Sequence, residues 1–252
     1  MIVRKIAIWG YYTLHSIAGF IPYLLDYFRF QNNRKTLSDM RFRVKSTELY
    51  PCINDNTGKT PFDAHYIYHP AWVARILAKT EPEEHVDISS SLPFVTLVSS
   101  FIKVRFYDYR PAELNLTNFS SGAVDITVLP FEDGSISSLS CMHVVEHIGL
   151  GRYGDPVNSK GDLLAVMELK RVLKSGGDLL FVVPVGGDAK IMYNAHRIYT
   201  FDLVIGMFSG YKLMDFSLVS DADGHVNDFI SPASKKDADN CMYGCGCFWF
   251  QK

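Results

Sequence analysis

From His85 onward the chain alternates short apolar runs with stretches of helical periodicity, and this alternation limits its fold more than any other feature. Strands are predicted at about 85–88, 103–108, 123–128, 137–142, 178–185, 211–219 and 243–250. Five of these strands are separated by helices, so crossovers must join them and neighbouring strands must run parallel. The pattern predicts a doubly wound α/β sheet.

The segment from residue 165 to residue 185 gives the clearest local pattern. One face of its helix is apolar and is formed by Ala165, Val166, Leu169, Val172 and Leu173. Gly176-Gly177 is expected to end this helix through a positive φ, which glycine tolerates. The unbroken apolar run from Leu179 to Val185 then indicates a central strand that is covered on both faces.

The last two predicted strands are connected differently. The segment between them, Ser220 to Asn240, is polar and has no helical stripe. Strands joined without a crossover helix pair antiparallel. We therefore predict a mostly parallel seven-stranded sheet with one antiparallel strand near the C-terminus. Residues 81–252 form this α/β domain, and residues 1–80 are predicted to be an N-terminal helical extension.

Composition excludes several classes of protein. Hydrophobic residues make up 48% of the chain and charged residues 21%, which is ordinary for a globular protein and excludes wholesale disorder. The net charge is −2 and no basic stripe is visible, so no nucleic-acid partner is predicted. Five cysteines, an odd number, do not resemble a disulfide framework and favour a reducing, cytoplasmic compartment.

The N-terminus carries an uncharged run from Ile6 to Leu25 that follows Arg4 and Lys5. This length is about what a membrane-spanning helix needs, but polar residues and Pro22 interrupt the run. Three interpretations stay open. In the first, residues 6–28 form a helix that packs on the domain or lies on a membrane surface. In the second they are a transmembrane anchor, and in the third a secretory signal.

Three aspartates lie in or at the ends of predicted strands. Asp87 precedes the serines Ser89 to Ser91, Asp108 ends the second strand, and Asp125 precedes Leu129. Ligands of open α/β sheets bind beyond the carboxyl ends of the strands, and an acid about 20 residues after the first turn can accept the ribose hydroxyls of an adenosine ligand.

From Asp87 to Pro184, these segments resemble the class I S-adenosylmethionine (SAM)-dependent methyltransferases. Asp125 with Leu129-Pro130-Phe131 is similar to the family's segment after the third strand, where the acid contacts the adenine amino group. Val145-Glu146-His147 resembles the segment after the fourth strand, and Leu169 to Gly177 the helix and turn before the fifth. The resemblance implies a Rossmann-like fold, transferase activity and SAM as cofactor. The residues expected to bind it are Asp87, Ser89, Ser90, Asp108, Asp125 and Leu129.

One departure from the family's pattern concerns the first turn. The family has glycines there, which permit positive φ and a close approach of the backbone to the ligand. This chain has Ser89-Ser90-Ser91-Leu92-Pro93, and a serine cannot relieve the Cβ clash of a left-handed turn. The departure favours an alternative function, in which a non-catalytic protein of the same fold serves as a binding or assembly module, with membrane association through its N-terminal helix.

Histidines near the end of the fourth strand are candidates for the catalytic base. A neutral imidazole can remove a hydroxyl proton during methyl transfer, and His147 is preferred over His143. The alternative is a packed histidine that donates to a backbone carbonyl. Four further residues are expected near the methyl acceptor: Tyr153, Asp155, His196 and Arg197. Arg197 is suited to clamp an anionic acceptor, although a surface ion pair is an equal alternative.

Cysteines 241, 245 and 247 raise the question of a metal site. Cys245, Cys247 and Trp249 alternate on one face of an apolar strand, where buried thiols behave as small hydrophobes. No paired C-x-x-C motif supplies four ligands, so no metal is predicted.

The acceptor is expected to be a small molecule or a saccharide hydroxyl. The segments Gly149 to Asp155 and Asn194 to Arg197 resemble an uncharacterised branch of the superfamily that is often associated with polysaccharide biosynthesis.

Overall fold

The computed structural model describes residues 2–38 and 41–252, and the side chains among these from residue 19 onward. The chain divides into two compact units, Met1–Phe62 and Asp63–Lys252. The sequence places the domain boundary at residue 80, whereas the structure groups residues 63–80 with the sheet.

The first unit contains one long helix, α1 (Ile2–Thr36), and a short 3-10 turn at Ser46–Glu48. Helix α1 includes the predicted uncharged run, but the side chains of residues 2–18, which carry most of that run, lie outside the described part. Ile21, Leu25 and Phe28, on one face of the described portion, are exposed. Among the described residues, no helix has both the length and the apolarity to cross a membrane.

The second unit contains the sheet and its covering helices. Its helices are α2 (Ala64–Thr80), α3 (Leu92–Val98), α4 (Gly161–Val172), α5 (Phe201–Met207) and α6 (Lys235–Asp239). Its strands are β1 (Glu84–Ile88), β2 (Lys103–Asp108), β3 (Phe119–Ala123), β4 (Ile136–Met142), β5 (Leu173–Val185), β6 (Lys190–Met192), β7 (His196–Ile198), β8 (Lys212–Val219), β9 (Phe229–Ile230) and β10 (Gly244–Gln251).

The main sheet has the strand order β3-β2-β1-β4-β5-β10-β8-β9. Strands β1 to β5 pair in parallel, and β10 runs antiparallel to both β5 and β8. The predicted α/β fold with a reversed strand near the C-terminus is confirmed. The two-residue strand β9 adds an eighth member at the edge, and β6 and β7 form a separate hairpin. The chain changes direction across the sheet between β1 and β4, which is where ligands of such folds bind.

The third strand lies earlier than the sequence pattern predicts. It covers Phe119–Ala123, not 123–128, and pairs only with β2 as an edge strand. Val124 and Ile126 are buried, but they lie in the loop that leaves the strand. Their alternation with polar residues imitates a strand, whereas the true edge strand has few apolar side chains because little covers it.

The two faces of the sheet carry separate apolar cores. Phe181 of β5 packs in the cluster that includes Leu169 of α4. The flanking residues Leu180 and Val182 point to the other face and join the cluster of Trp72 in α2. This alternation explains the unbroken apolar run, because a central strand of a doubly covered sheet is buried on both sides.

The apolar face predicted for α4 is buried, but the glycine turn after it differs from the prediction. The helix ends at Val172, and Leu173 is its C-cap. Gly176 has a φ of +77° but lies within the irregular start of β5, where its N–H donates to the carbonyl oxygen of Lys252 at 2.7 Å. The glycine therefore turns the strand and does not cap the helix.

Candidate functional site

The turn after β1 adopts the left-handed conformation although it has no glycine. Ser89 has a φ of +58°. A non-glycine residue in this region costs about 1–3 kcal/mol. The Ser89 N–H donates to the carbonyl oxygen of Tyr107 at 2.7 Å, and its hydroxyl lies 3.3 Å from the same oxygen, which offsets part of that cost. The serine turn therefore reaches the backbone shape for which the family uses glycine.

Asp87 and Ser90 lie beneath this turn. Asp87 is fully buried; one of its carboxylate oxygens accepts from the Ser90 N–H at 3.0 Å, and the other accepts from the Ser140 hydroxyl. The Ser90 hydroxyl in turn accepts from the N–H of Met142 in β4 at 3.2 Å. Both residues were expected to contact the cofactor, but their polar atoms hold the turn against β4.

A chain of buried hydrogen bonds continues from Asp87 into the sheet. His85 Nε2 lies 2.8 Å from the Ser140 hydroxyl, and His85 Nδ1 lies 2.7 Å from the Ser138 hydroxyl. Burial raises the pKa of Asp87 to about 6 and lowers the pKa of His85 to about 3. The His85 ring is therefore neutral, and each polar side-chain atom of the chain has a partner.

Two adjoining cavities open above the turn, with volumes of about 110 Å³ and about 220 Å³. We call them together the cleft. They share four lining residues: Ser89, Tyr109, Ile148 and Tyr153. Their combined volume is at the lower end of the range for small-ligand sites, which begins at about 300 Å³.

The two predicted acidic ligands line different cavities of the cleft. Asp108 lines the larger cavity, and one carboxylate oxygen accepts from the Arg110 N–H at 2.7 Å. Within the described residues, its second oxygen has no hydrogen bond. Asp125 lines the smaller cavity, and one of its oxygens accepts from the N–H and hydroxyl of Thr127 at 2.8 Å and 2.7 Å. Ser89, Asp108 and Asp125 therefore converge on one space.

Leu129 does not line the cleft. Its side chain is buried in the core, its N–H donates to Glu168 Oε2 at 2.7 Å, and its carbonyl oxygen accepts from Arg171 at 2.9 Å. The expectation that Leu129 binds the cofactor is therefore corrected, because the anchoring ion pair on α4 occupies both of its backbone groups.

His147 ends a short 3-10 turn, Val145–His147, and lines the larger cavity. Its Nδ1 donates to the carbonyl oxygen of Ala195 at 2.6 Å, which leaves the lone pair of the neutral ring on Nε2. Glu146 Oε1 lies 3.8 Å from that nitrogen. Burial lowers the pKa of His147, partly countered by Glu146, so the ring is neutral at physiological pH and can accept a proton.

His143 also lines the larger cavity, but both of its ring nitrogens have partners. Nδ1 donates to Glu146 Oε1 at 2.8 Å, and Nε2 faces the sulfur of Cys245 at 3.3 Å. His143 has a φ of +55°, and its ring is almost fully buried. Of the two predicted bases, only His147 offers a free nitrogen.

Two of the residues expected at the acceptor side lie at the cleft. Tyr153 lines both cavities, and the guanidinium group of Arg110 stands 5.0 Å from the centre of its ring. Asp155 lines the smaller cavity, but its oxygens accept from the N–H groups of Gly149 at 2.7 Å and Tyr153 at 3.2 Å. Asp155 thus shapes the loop that carries Tyr153.

The other two do not line either cavity, although the ring of His196 packs edge-on against His147 with centroids 6.5 Å apart. The ring of His196 packs against Tyr243 with centroids 4.8 Å apart. Arg197 is buried; it donates to the carbonyl oxygen of Ile148 at 2.7 Å and forms an ion pair with Asp162 at 3.6 Å. Neither a clamp on an anionic acceptor nor a surface ion pair describes Arg197, because its guanidinium group is used inside the protein.

Sequence reasoning missed the contribution of Tyr109 and Ile148, which line both cavities. Tyr109 directly follows Asp108, and this adjacency is the only signal that could have found it.

Gly149 was noted only for its resemblance to a family branch. It has a φ of +79°, and an added Cβ would lie 2.1 Å from the carbonyl oxygen of Asn158, so only glycine fits this bend beside the cleft.

Comparisons with known proteins concern the family and the fold. Residues 133–240 match a family described as "Caenorhabditis protein of unknown function, DUF268". No curated protein matches the chain.

Solved structures resemble this chain at low sequence identity. The 1,6-didemethyltoxoflavin-N1-methyltransferase of Burkholderia thailandensis, determined with S-adenosylhomocysteine, aligns over 73% of this chain and 79% of its own, with a TM-score of 0.51 and 10% identity. The chain has the class I methyltransferase fold. The N-methyltransferase NodS of Bradyrhizobium japonicum, in complex with S-adenosylhomocysteine, aligns over 75% of this chain and 87% of its own, with a TM-score of 0.49 and 11% identity.

Proposed function

We propose that this protein is a SAM-dependent methyltransferase. The observation that carries the proposal is the convergence of Ser89, Asp108 and Asp125 on one cleft at the carboxyl edge of the sheet. The cleft lies where the chain changes direction between β1 and β4, which is the ligand site of doubly wound folds. The Burkholderia thailandensis enzyme, which shares the fold and was determined with S-adenosylhomocysteine, suggests the chemical class of the cofactor.

The cleft offers the donors and acceptors that an adenosine ligand requires. The free oxygen of Asp108 would accept from the ribose hydroxyls, and Asp125 from the adenine amino group. The left-handed turn at Ser89 would bring the backbone close to the amino-acid end of the ligand. Asp87 and Ser90 would act as positioning residues, because they fix the turn without reaching the cleft.

His147 is the proposed catalytic base. Bound SAM supplies an activated methyl group on a sulfonium, so the protein has mainly to orient the acceptor and accept its proton. His147 lines the larger cavity, and with Nδ1 donating to Ala195 the lone pair of the neutral ring is on Nε2. A proton taken up there would be stabilised by Glu146 Oε1, 3.8 Å away.

The acceptor is proposed to be a hydroxyl group of a small molecule or saccharide. Tyr153 lines both cavities, and the guanidinium groups of Arg110 and Arg152 stand 5.0 Å and 5.1 Å from its ring. The phenol hydroxyl of Tyr153 and the guanidinium donors beside it suit an oxygen-rich acceptor, whose hydroxyl oxygens would accept hydrogen bonds from them.

Titration calorimetry with SAM and with S-adenosylhomocysteine tests the cofactor. Asp108→Ala should weaken binding roughly tenfold or more, about 1.4 kcal/mol. Asp108→Asn is the matched variant, since its amide oxygen can still accept from the Arg110 N–H while the negative charge is lost. Equal affinity of the wild type and both variants would remove Asp108 from the site, and absence of any binding would refute the proposal.

One observation removes the main reason for the alternative function, a non-catalytic binding or assembly module. It depended on a serine turn that cannot adopt the left-handed conformation, and Ser89 adopts it. The turn therefore no longer separates this chain from the enzymes that share its fold.

Cytoplasmic location and membrane contact of the first unit are kept as proposals. Ile21, Leu25 and Phe28 form an exposed apolar stripe on α1, as in helices that lie on a membrane surface. Co-sedimentation with lipid vesicles should be lost when the chain is truncated before Gln31, and equal sedimentation of both forms would exclude the contact.

A further inference from the structure

A second polar cluster lies beside the cleft and is not used by the proposed methyl transfer. His65 and His69 are one turn apart on α2, and the centroids of their rings lie 5.4 Å and 5.1 Å from that of His143. Cys245 of β10 lies on another side of His143, with 3.3 Å between its sulfur and Nε2. Helix α2, the end of β4 and β10 thus bring imidazole and thiol groups together.

The spacing of these groups suits a metal ion. One ligand atom each from His65, His143 and Cys245 lies within 4.8 Å of the other two. Tetrahedral zinc sites with Zn–N and Zn–S bonds of usual length place neighbouring ligand atoms about 3.5 Å apart. The His143–Cys245 pair already has about this separation, and the ligand nitrogen of the half-buried His65 lies within 4.8 Å of both atoms, so binding would require His65 to move closer.

The surroundings of His143 resemble the outer shell of a metal site. Its Nδ1 donates to Glu146 Oε1 at 2.8 Å, which fixes the ring orientation and leaves Nε2 as the nitrogen that faces Cys245. Metal-binding histidines almost always donate their other N–H to a carboxylate, carbonyl or water in this way.

Two buried groups in the cluster have unsatisfied polar atoms. Both ring nitrogens of His69 and the Oε2 atom of Glu146 lack a hydrogen-bond partner, and both residues are at most 1% exposed. Buried polar atoms without partners are rare in native proteins and call for an ion, a water or a functional role. Both residues contact His143: Glu146 through Nδ1 at 2.8 Å, and His69 through its ring, with centroids 5.1 Å apart.

A nucleophilic role for Cys245 would require a substrate to reach its sulfur. Cys245 is 0% exposed, so the Cys245–His143–Glu146 arrangement cannot attack a substrate from the cleft. A small cation, by contrast, needs only that the three ligand atoms lie close together, as they do.

We propose that His65, His143 and Cys245 bind a zinc-type divalent cation, with Glu146 as the outer-shell partner of His143. Three protein ligands leave a fourth position open, as in zinc sites that exchange a water or a substrate atom. Because His143 also lines the larger cavity, the cation lies at the wall of the cleft. This inference does not depend on the proposed methyl transfer.

The test is a titration of the full, chelator-treated chain with Co²⁺, followed by displacement with Zn²⁺, in the absence of SAM. We expect one ion per chain, visible bands typical of tetrahedral Co²⁺, and a thiolate-to-cobalt charge-transfer band in the near ultraviolet. Zn²⁺ should abolish these bands, and its affinity follows from competition with a chromophoric chelator.

Matched variants distinguish ligands from neighbours. Cys245→Ala should remove the charge-transfer band, while Cys141→Ala, which deletes another fully buried thiol, should keep it. His65→Ala should weaken Zn²⁺ binding by more than about a hundredfold, and Glu146→Gln by about 10- to 100-fold, as for an outer-shell partner. His225→Ala is the histidine control, since His225 is exposed and pairs with Asp228.

The outcomes are decisive in both directions. Circular dichroism of the metal-free variants checks that each is folded, and the charge-transfer band reports the thiolate in any variant that folds. Absence of a Co²⁺ spectrum in the wild type, or a band that survives in Cys245→Ala, would overturn the site. SAM affinity is measured separately, so failure of the metal site and failure of the methyltransferase proposal are distinguishable.

Discussion

His143 and His147 follow the same strand four residues apart, yet the structure gives them opposite surroundings. His143 is buried with Glu146 on one nitrogen and Cys245 on the other. His147 lines the larger cavity, with one nitrogen fixed by the carbonyl oxygen of Ala195 and the other without a hydrogen bond among the described residues. Glu146 stands between them, 2.8 Å from one ring and 3.8 Å from the other.

The role open to a histidine therefore depends on whether its two ring nitrogens already have hydrogen-bond partners, more than on the residue type. A ring with both nitrogens engaged can position a ligand or bind a metal, but it cannot accept a proton from a substrate without losing a partner. The same contrast separates Asp87, whose two oxygens are engaged, from Asp108, which keeps one free.

The largest expected effect concerns the free nitrogen of His147. His147→Asn keeps an N–H donor for the Ala195 carbonyl but has no equivalent of Nε2. Transfer of labelled methyl from SAM to a hydroxyl acceptor should fall by about 10²- to 10⁴-fold, the usual contribution of a general base. Because burial lowers the pKa of His147, the wild-type rate should stay constant down to its ordinary pKa near 6.5 and fall only at lower pH.

His225→Asn is the control for His147→Asn, since His225 is exposed, lies outside both cavities and pairs with Asp228; its substitution should change the rate within about twofold. A His147→Asn enzyme with wild-type activity would break the contrast between the two histidines. A rate that falls already above pH 7 would contradict the lowered pKa.

A smaller effect concerns the buried carboxyl of Asp87. Its pKa is raised from 3.8 to about 6 in the folded state, so the native protein binds this proton more tightly than the unfolded chain. The stability that the group contributes is therefore fully present below about pH 4 and is lost as the pH rises through about 6. Relative to Asp87→Asn, the wild-type free energy of unfolding should fall by about 3 kcal/mol between these limits.

Urea unfolding at pH 4, 5, 6 and 7 measures this difference. The Asp87→Asn substitution should be tolerated because the new amide can donate to Ser140, whose hydroxyl can then turn toward His85. Asp223→Asn, in an exposed loop, is the control and should give a curve parallel to the wild type. Parallel curves for Asp87→Asn as well would show that Asp87 has the same pKa in the folded and unfolded states.

The smallest expected effect is on the stability of the turn at Ser89, which lies between the buried hydrogen bonds of Asp87 and the cleft. Ser89→Gly removes the left-handed strain at φ +58° but adds flexibility to the unfolded chain. The balance should raise the free energy of unfolding by about 1 kcal/mol, with SAM affinity kept. Ser91→Gly, at an ordinary φ of −76°, should instead destabilise the protein. If Ser89→Gly does not raise the free energy of unfolding, Ser89 is not strained.

Much of the fold follows from local patterns. The apolar run of β5, the amphipathic α4 and the polar link before β10 predict a central strand, its covering helix and the reversed strand, and all three are present. The pattern misplaced β3, because burial of Val124 and Ile126 in a loop produces the same alternation as a strand.

The candidate site could be predicted only in outline. Acids at strand ends pointed to the cleft, since parallel strands bring their carboxyl ends to one edge. Which atoms stay free there could not be predicted, and Leu129 and Arg197 show why. Both lie near the expected places in the chain, but Glu168 and Ile148, distant in sequence, engage their polar groups.

Local periodicity was enough to predict the layered architecture and the edge of the sheet at which the cleft lies, because periodic burial is encoded residue by residue. Which polar groups come into contact depends on how the helices and strands pack together. His65 and Cys245 are 180 residues apart in the chain and meet at His143 because α2 and β10 pack beside the end of β4. Such contacts depend on the packing of whole helices and strands, and no local sequence pattern predicts them.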